Sequence, residues 1–217
     1  MKAQHLLPLF LLACSSAPEN ATDQGSSSGK ETSAPVSVTP IMHATMALGW
    51  KDETILVDPV GEVNAFAGRT APTLVLITDI HPDHLDTTTL RALDLSKAVL
   101  VVPNAVKELL PADLQAKCVT MVNGERAEVN SVGLEAIAMY NMPDPDDARH
   151  PKGRGNGYVL TLGDERIYIS GDTEDTPEMR ALENIDIAFV CMNLPYTMSV
   201  DRAADGVVTF KPKVVYP

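Results

Sequence analysis

From about residue 36 onward, short apolar runs alternate with polar breaks, a pattern typical of short β-strands joined by turns. Residues 36–48 and 54–57 flank a turn-like segment at 49–53, so they predict a hairpin. The run at 73–78 lacks polar alternation, which predicts a strand covered on both faces. Further strands are predicted at 98–102, 119–122, 127–129, 134–140, 158–162, 166–170, 185–192 and 214–216.

Four segments between these strands have the composition of helices. They cover residues 87–95, 104–110, 176–182 and 199–210, and Asp86 stands before the first of them as a natural N-cap. Strands dominate and fall into two groups with helices inserted between them. The sequence therefore predicts an α+β fold in which two packed mixed β-sheets carry helices on their outer faces.

The first 35 residues differ from the rest of the chain. Lys2 is followed by an apolar run from Leu6 to Ala13, which is shorter than the roughly 20 residues of a membrane-spanning helix and has the order of a signal peptide. The sequence Leu11-Leu12-Ala13-Cys14 resembles the lipobox of bacterial lipoproteins, which implies that residues 1–13 are removed and that Cys14 is acylated. An ordinary secreted protein is the alternative.

Residues 14–35 are rich in Ser, Thr, Gly and Pro, a composition typical of a flexible linker. By the lipoprotein resemblance, Ser15 next to the acylated cysteine favours the outer membrane. We therefore expect a domain at residues 36–217, held on the periplasmic face of the bacterial envelope by a lipid anchor.

Composition and charge narrow the choice of partners. The 217 residues are 45% hydrophobic and 21% charged, which suits one folded domain. The net charge of -12 disfavours nucleic acid, but a bound metal ion can reverse the local field and admit a small anionic substrate. Cys118 and Cys191 either pair as a disulfide in an oxidising compartment or remain separate thiols. The sequence does not define an oligomeric state.

A dense cluster of polar side chains follows the strand predicted at 73–78. Residues 78–86 read TDIHPDHLD and supply Asp79, His81, Asp83 and His84. Imidazole and carboxylate together suit zinc first, and also manganese or iron. In an extended chain positions 79, 81 and 83 point one way and His84 another, so the cluster can serve one or two divalent ions. The alternative is a polar loop that caps the following helix.

Two other places can complete such a site. Asp172 follows Ser170-Gly171 at the end of a predicted strand, and His150 stands in a Gly-rich loop. The same region contains Lys152, Arg154 and Asn156, which suit an anionic substrate unless the loop is merely solvated. His43, on an early predicted strand, is either a fourth substrate-binding candidate or a plain strand residue.

The cluster resembles the metallo-β-lactamase superfamily, whose motif His-x-His-x-Asp-His follows a strand. Here the motif stands as Asp79-x-His81-x-Asp83-His84, with Asp in place of the first His. The resemblance covers the chain from about residue 36 to its end and implies a four-layer αββα fold. His43-Ala44-Thr45 and Asp58-Pro59 are similar to the branch that includes ascorbate-6-phosphate lactonase and the N-acylphosphatidylethanolamine-cleaving phospholipase D.

The resemblance also implies roles for these residues. Asp79, His81 and His150 would hold one ion, Asp83 and His84 a second, and Asp172 would bridge the two, with Asp83 and Asp172 as catalytic residues. A water acidified by the ions would attack the substrate, so no Ser or Cys nucleophile is needed. Asp79, as an anionic ligand, favours a harder ion such as manganese or iron relative to zinc.

The implied reaction is hydrolysis of an ester, lactone or phosphodiester. One alternative is a phospholipase D-like phosphodiesterase that acts on membrane lipid near its own anchor, and another is a metal-binding remnant without turnover. In the superfamily a final His follows the last strand, whereas this sequence ends at Pro217. We therefore expect an incomplete last strand and a truncated chain, or a second ion that is weakly held or absent.

Overall fold

The computed structural model describes residues 34–143 and 148–217, which build two six-stranded β-sheets. The predicted signal peptide, Cys14 and the linker up to residue 33 lie outside the described residues. Among the helices in these two ranges, none is long and apolar enough to cross a membrane.

The first sheet is mixed, with its strands in chain order from one edge to the other. Its first three strands are antiparallel, and the third to sixth are parallel. The strands are β1 (Ser37–Met42), β2 (Thr45–Trp50), β3 (Glu53–Val57), β4 (Leu74–Leu76), β5 (Val99–Val102) and β6 (Cys118–Thr120).

The second sheet is also mixed and has the order β12-β11-β10-β9-β8-β7. Strands β7 to β10 are antiparallel neighbours, and β10, β11 and β12 are parallel. The strands are β7 (Arg126–Val129), β8 (Val132–Met139), β9 (Gly155–Leu162), β10 (Glu165–Ile169), β11 (Ile187–Phe189) and β12 (Val214–Tyr216).

Within the described residues, five α-helices connect the strands, together with a short 3-10 helix at Val63–Phe66. They are α1 (Thr87–Ala92), α2 (Asn104–Leu109), α3 (Ala112–Gln115), α4 (Pro177–Arg180) and α5 (Val200–Phe210). The predicted N-cap is confirmed, since Oδ1 of Asp86 accepts a hydrogen bond from the Thr88 amide at 2.8 Å.

Three apolar layers hold these elements together. The central layer joins the inner faces of the two sheets, with Leu76 of β4 and Tyr158 of β9 among its buried members. A second layer packs the outer face of the first sheet against Leu90 and Val106 of the helices, and a third packs the second sheet against Phe210 of α5. Three apolar layers between neighbouring helices and sheets mean four structural layers in the order helix, sheet, sheet, helix. The predicted four-layer αββα fold is therefore confirmed.

The prediction was wrong about the chain before β3. Residues 36–48 form two strands, because the chain reverses at His43-Ala44, where His43 has a positive φ of 47°. His43 therefore lies in a tight turn rather than on a strand. The helix predicted at 87–95 ends at Ala92, and Cys118 and Cys191 are separate free thiols.

Candidate metal centre

Donor side chains converge where β4 ends. Asp79 is fully buried, and its Oδ2 lies 2.6 Å from Nδ1 of His81 and 3.8 Å from Nε2 of His150. His150 comes from the loop before β9, so residues far apart in the sequence meet here. We call Asp79, His81 and His150 the first donor group; one candidate ligand atom from each lies within 4.8 Å of the others.

A second donor group of the same kind consists of His43, Asp83 and His84. Nε2 of His43 lies 3.2 Å from Oδ2 of Asp83, and Nε2 of His84 lies 3.9 Å from the same oxygen. His43 and Asp83 are about half exposed, whereas His84 is buried. This group therefore opens to solvent, whereas in the first group only His81 is partly exposed.

Asp172 stands between the two groups. Its Oδ2 lies 3.4 Å from Nε2 of His84 and 3.4 Å from Nε2 of His150. Gly171 precedes it with a φ of 58°, and a Cβ there would lie 2.4 Å from the sulfur of Met139, so this turn after β10 requires glycine. One carboxylate thus faces an imidazole from each group.

Asp58, directly after β3, fixes the orientation of His84. Its Oδ2 lies 2.8 Å from Nδ1 of His84, and it also accepts hydrogen bonds from the amide and hydroxyl of Thr78. Since an ionised carboxylate only accepts, Nδ1 carries a hydrogen and Nε2 is the nitrogen that can bind an ion. Burial disfavours the charged imidazole, but Asp58 and Asp172 outweigh it and raise the pKa of His84 to about 11, so an ion that binds Nε2 displaces a proton.

Asn141 fixes the orientation of His150, as Asp58 fixes that of His84. Its Nδ2 donates to the carbonyl of Tyr196 at 3.0 Å, so its Oδ1 is the acceptor that faces the amide of His150 at 2.9 Å and Nδ1 at 3.1 Å. Nδ1 of His150 therefore carries the hydrogen, and Nε2 is directed at Asp79 and Asp172.

The chemistry of these atoms fits a metal ion. Nδ1 of His81, Nε2 of His84 and Nε2 of His150 are buried, and each faces a carboxylate oxygen at 2.6–3.4 Å without forming a hydrogen bond of regular geometry among the described residues. Buried polar atoms are rarely left unpaired, and a cation among these carboxylates would satisfy all three. Burial lowers the pKa of His81, which favours the neutral form that binds metal.

All six residues predicted as metal ligands lie in this centre, but the predicted substrate-binding residues are placed differently. Arg154 donates to both carboxylate oxygens of Asp79, and Lys152 pairs with Glu178. Asn156 lies in β9 rather than in the loop. It is buried, and its side-chain Nδ2 donates to the carbonyl of Met121. Substrate contact by these three residues stays a prediction.

Sequence reasoning missed three features of the centre. Asp58 enters the sequence analysis only through the family resemblance, Asn141 does not enter it, and His43 stands there as a substrate-binding candidate or a plain strand residue, whereas in the structure it lies beside Asp83. A signal existed for Asp58, since it follows an apolar strand as Asp79 and Asp172 do. Asn141 carries no comparable signal.

Two mixed sheets between helices, with paired His and Asp donor groups at their edge, define a class of metal-dependent hydrolases. The profile of the Beta-lactamase superfamily domain matches residues 37–217, most of the chain. The protein therefore belongs to the metallo-β-lactamase superfamily and is a metal-dependent hydrolase.

Several relatives agree with this assignment. A UPF0173 metal-dependent hydrolase of Salinibacter ruber is 27% identical over 184 residues, 81% of this chain and 80% of its own. The corresponding protein of Deinococcus radiodurans is 29% identical over 192 residues, with the same coverage. A crystal structure of a Parabacteroides distasonis protein described as a metal-dependent hydrolase has a TM-score of 0.76 and 36% identity, covering 84% of this chain and 81% of its own.

Proposed function

We propose that this protein hydrolyses an ester, lactone or phosphodiester at a centre of two divalent ions. The first donor group would hold one ion and the second donor group the other. The observation that carries the proposal is the position of Asp172, whose Oδ2 lies 3.4 Å from an imidazole nitrogen of each group. A single carboxylate at that place can serve both ions.

Bound divalent ions would acidify a water molecule and polarise the oxygen of the group under attack. The chain's own residues set the geometry and move the proton. Burial raises the pKa of Asp172, but His150 and His84 outweigh this and lower it, so Asp172 stays ionised. Asp83 is half exposed beside His43, and it is the carboxylate placed to accept a proton and pass it to the leaving group.

The substrate that we propose is small and anionic. Arg149 precedes His150 and is exposed, and its guanidinium stacks over the ring of Tyr196 at 4.4 Å. The positive charge of Arg149 also contributes to the lowered pKa of His81, so its electrostatic field reaches the first donor group. An exposed guanidinium at this place suits a phosphate or carboxylate group, as in the lactonase and phosphodiesterase branch that the sequence resembles.

We propose zinc as the ion, because two of the three donors in each group are imidazole nitrogens. Asp79 adds a hard anionic ligand to the first group, which makes manganese or iron the alternatives there. The location that we propose is the periplasmic face of the outer membrane, with the lipid on Cys14. This rests on the lipobox-like sequence at residues 11–14 and on the Ser- and Gly-rich linker.

Asp172→Asn tests the function directly. The variant keeps the shape of the side chain but loses the charge shared by the two groups, so we expect hydrolysis to fall by about 100-fold or more. Zinc content per chain should fall with it. The matched control is Asp201→Asn, which removes an exposed carboxylate on α5 and should change neither quantity.

The wild type and both variants would be assayed with an aryl ester, a lactone and a bis-aryl phosphodiester. Turnover of the phosphodiester alone would select the phosphodiesterase reaction. Zinc binding with no turnover of any reporter would contradict the proposed hydrolysis of these classes, and equal activity of Asp172→Asn and wild type would contradict the two-ion arrangement.

A further inference from the structure

Arg154 forms a two-pronged pair with the buried carboxylate of the first donor group. Its Nε donates to Oδ1 of Asp79 at 3.2 Å, and its Nη2 donates to Oδ2 at 3.0 Å. Asp79 is fully buried, and the Arg154 side chain is only one-fifth exposed. Both oxygens of this candidate ligand are therefore already engaged by a permanent cation.

The backbone is shaped to make this pair. Gly155 follows Arg154 at the start of β9, and a Cβ there would lie 2.9 Å from the carbonyl of Thr78 and 3.3 Å from Oδ1 of Asp79. Only glycine allows the strand to pass so close to Asp79. The backbone amide of Asn156 donates to the carbonyl of Thr78 at 3.0 Å and holds β9 at this distance from Asp79.

The pair has a consequence for metal affinity. A carboxylate that accepts a hydrogen from a ligand makes that ligand more basic, whereas a guanidinium that donates to a ligand carboxylate makes it less basic. In addition, Arg154 places a positive charge next to the position that an ion would take. In the second donor group the supporting residue is Asp58, which is negative. The two groups therefore differ in the sign of their supporting charge.

We propose that Arg154 is a positioning residue that competes with the metal ion for Asp79, and that it makes the first donor group the adjustable, weaker metal site. In the metal-free protein Arg154 neutralises the buried Asp79 and stabilises the fold. When an ion binds, the carboxylate is shared between the ion and the guanidinium. The inference rests on the proposed two-ion centre, but not on its hydrolytic activity.

The test is a calorimetric titration of the metal-free full-length chain with zinc, repeated with cobalt, whose visible absorption reports the ligands. His150→Gln first identifies which binding step belongs to the first donor group, since that step should be lost. In Arg154→Met the same step should tighten by about tenfold or more, because the positive charge that repels the ion and competes for Asp79 is gone. The metal-free protein should also become less stable, because Asp79 is then buried without a partner.

Lys152→Met is the matched control. It removes a positive charge from the same segment, two residues away, where the described contacts of Lys152 are with Glu178 and Tyr140. The zinc and cobalt steps should not change. If Arg154→Met does not fold, Arg154→Lys keeps the charge without the two-pronged geometry, and the step should tighten several-fold, less than in the methionine variant.

Unchanged or weaker binding at the first donor group in the folded Arg154 variant would overturn the inference, since the arginine would then be neutral toward the ion or assist it. Such a result, with two ions still bound by the wild type, would leave the proposed function intact. Failure of the wild type to bind any ion would overturn both proposals.

Discussion

Nδ1 of the buried His84 lies 2.8 Å from Oδ2 of the buried Asp58. Asp58 follows β3, whereas His84 lies in the loop beyond the neighbouring strand β4. Thr78 completes the network, with its amide 2.7 Å from Oδ1 and its hydroxyl 2.6 Å from Oδ2 of the same carboxylate. The ends of two parallel strands are thus tied to the imidazole that would bind the second ion.

Asp58→Asn should weaken both the fold and the metal centre. The amide puts an NH₂ group where one carboxylate oxygen accepted a hydrogen bond, so a buried donor loses its partner at a cost of about 1–3 kcal/mol in the free energy of unfolding. Loss of the carboxylate behind His84 should weaken zinc binding by about 10–100-fold. Urea unfolding of the metal-free protein and zinc titration measure the two effects.

The control for this variant is Asp113→Asn, which changes an exposed residue that pairs with Arg91 on the surface. Its stability and zinc affinity should match those of the wild type. If Asp58→Asn bound zinc as tightly as the wild type, Asp58 would have no part in orienting His84.

His43→Asn should distinguish the contribution of the His43 imidazole to metal binding from the contribution of the residue to the turn. Asparagine tolerates the left-handed conformation that His43 adopts, so the turn between β1 and β2 should persist and the stability should stay close to that of the wild type. If His43 is a ligand, zinc binding at the second donor group should weaken by about tenfold or more. Zinc titration and thermal unfolding provide the measurements.

Lys51→Asn is the matched control for His43→Asn. Lys51 also has a positive φ, 51°, in the turn between β2 and β3, but its described contact is with the ring of Trp50. It should leave zinc affinity unchanged. Identical zinc binding by His43→Asn and Lys51→Asn would exclude His43 from the ligand set.

Gly155→Ala should disturb both packing and the metal centre. The added methyl would lie 2.2 Å from Cε of Met139 and 2.9 Å from the carbonyl of Thr78, and the second contact is with backbone that has little room to move. We expect a loss of about 1–3 kcal/mol in the free energy of unfolding. In Gly133→Ala, the nearest atom is a side-chain Cβ of Thr161 at 3.1 Å, so the loss should be smaller. Equal losses in urea unfolding would contradict this account.

The local part of the centre could be predicted from the sequence. Asp79, His81, Asp83 and His84 lie within six residues, directly after an apolar strand, so one segment displays both the strand and the candidate ligands. The layered fold was predictable for the same reason, since its strands are short and apolar. The turn at His43-Ala44 was not, because neither residue is a typical turn former and the flanking apolar runs merge into one.

The supporting contacts depend on tertiary structure and could not be predicted. Arg154 meets Asp79 across 75 residues, and Asp58 meets His84 across 26. The Gly-rich segment at residues 153–157 indicated a loop, whereas its glycines allow close passage of β9 against the end of β4. A basic residue near a candidate metal-binding histidine therefore suggests substrate binding, although in the structure Arg154 pairs with Asp79, a candidate ligand.

Asp186 provides a prediction about pH that is independent of the metal centre. It precedes β11, and its carboxylate accepts from the amide of Arg166 at 2.7 Å and from Nζ of Lys213, which links the start of β10 to the segment before β12. Burial raises the pKa of Asp186, but Lys213 and the Arg166 amide outweigh it and lower the pKa. A lowered pKa means that the carboxylate stabilises the fold above its unfolded pKa of about 3.9, and that this contribution is lost as the pH falls toward the folded pKa.

Asp186→Asn should therefore be less stable than the wild type near neutral pH, and the difference should shrink as the pH falls below about 4. Urea unfolding of both proteins across that range gives the difference in the free energy of unfolding at each pH. Asp52→Asn, in the exposed turn before β3, should follow the wild-type curve throughout. If the difference in the free energy of unfolding between Asp186→Asn and the wild type stayed constant with pH, the charge of Asp186 would not be what supports β11. A contribution from the charge must disappear when the carboxylate is protonated, whereas a contribution from the shape of the side chain does not change with pH.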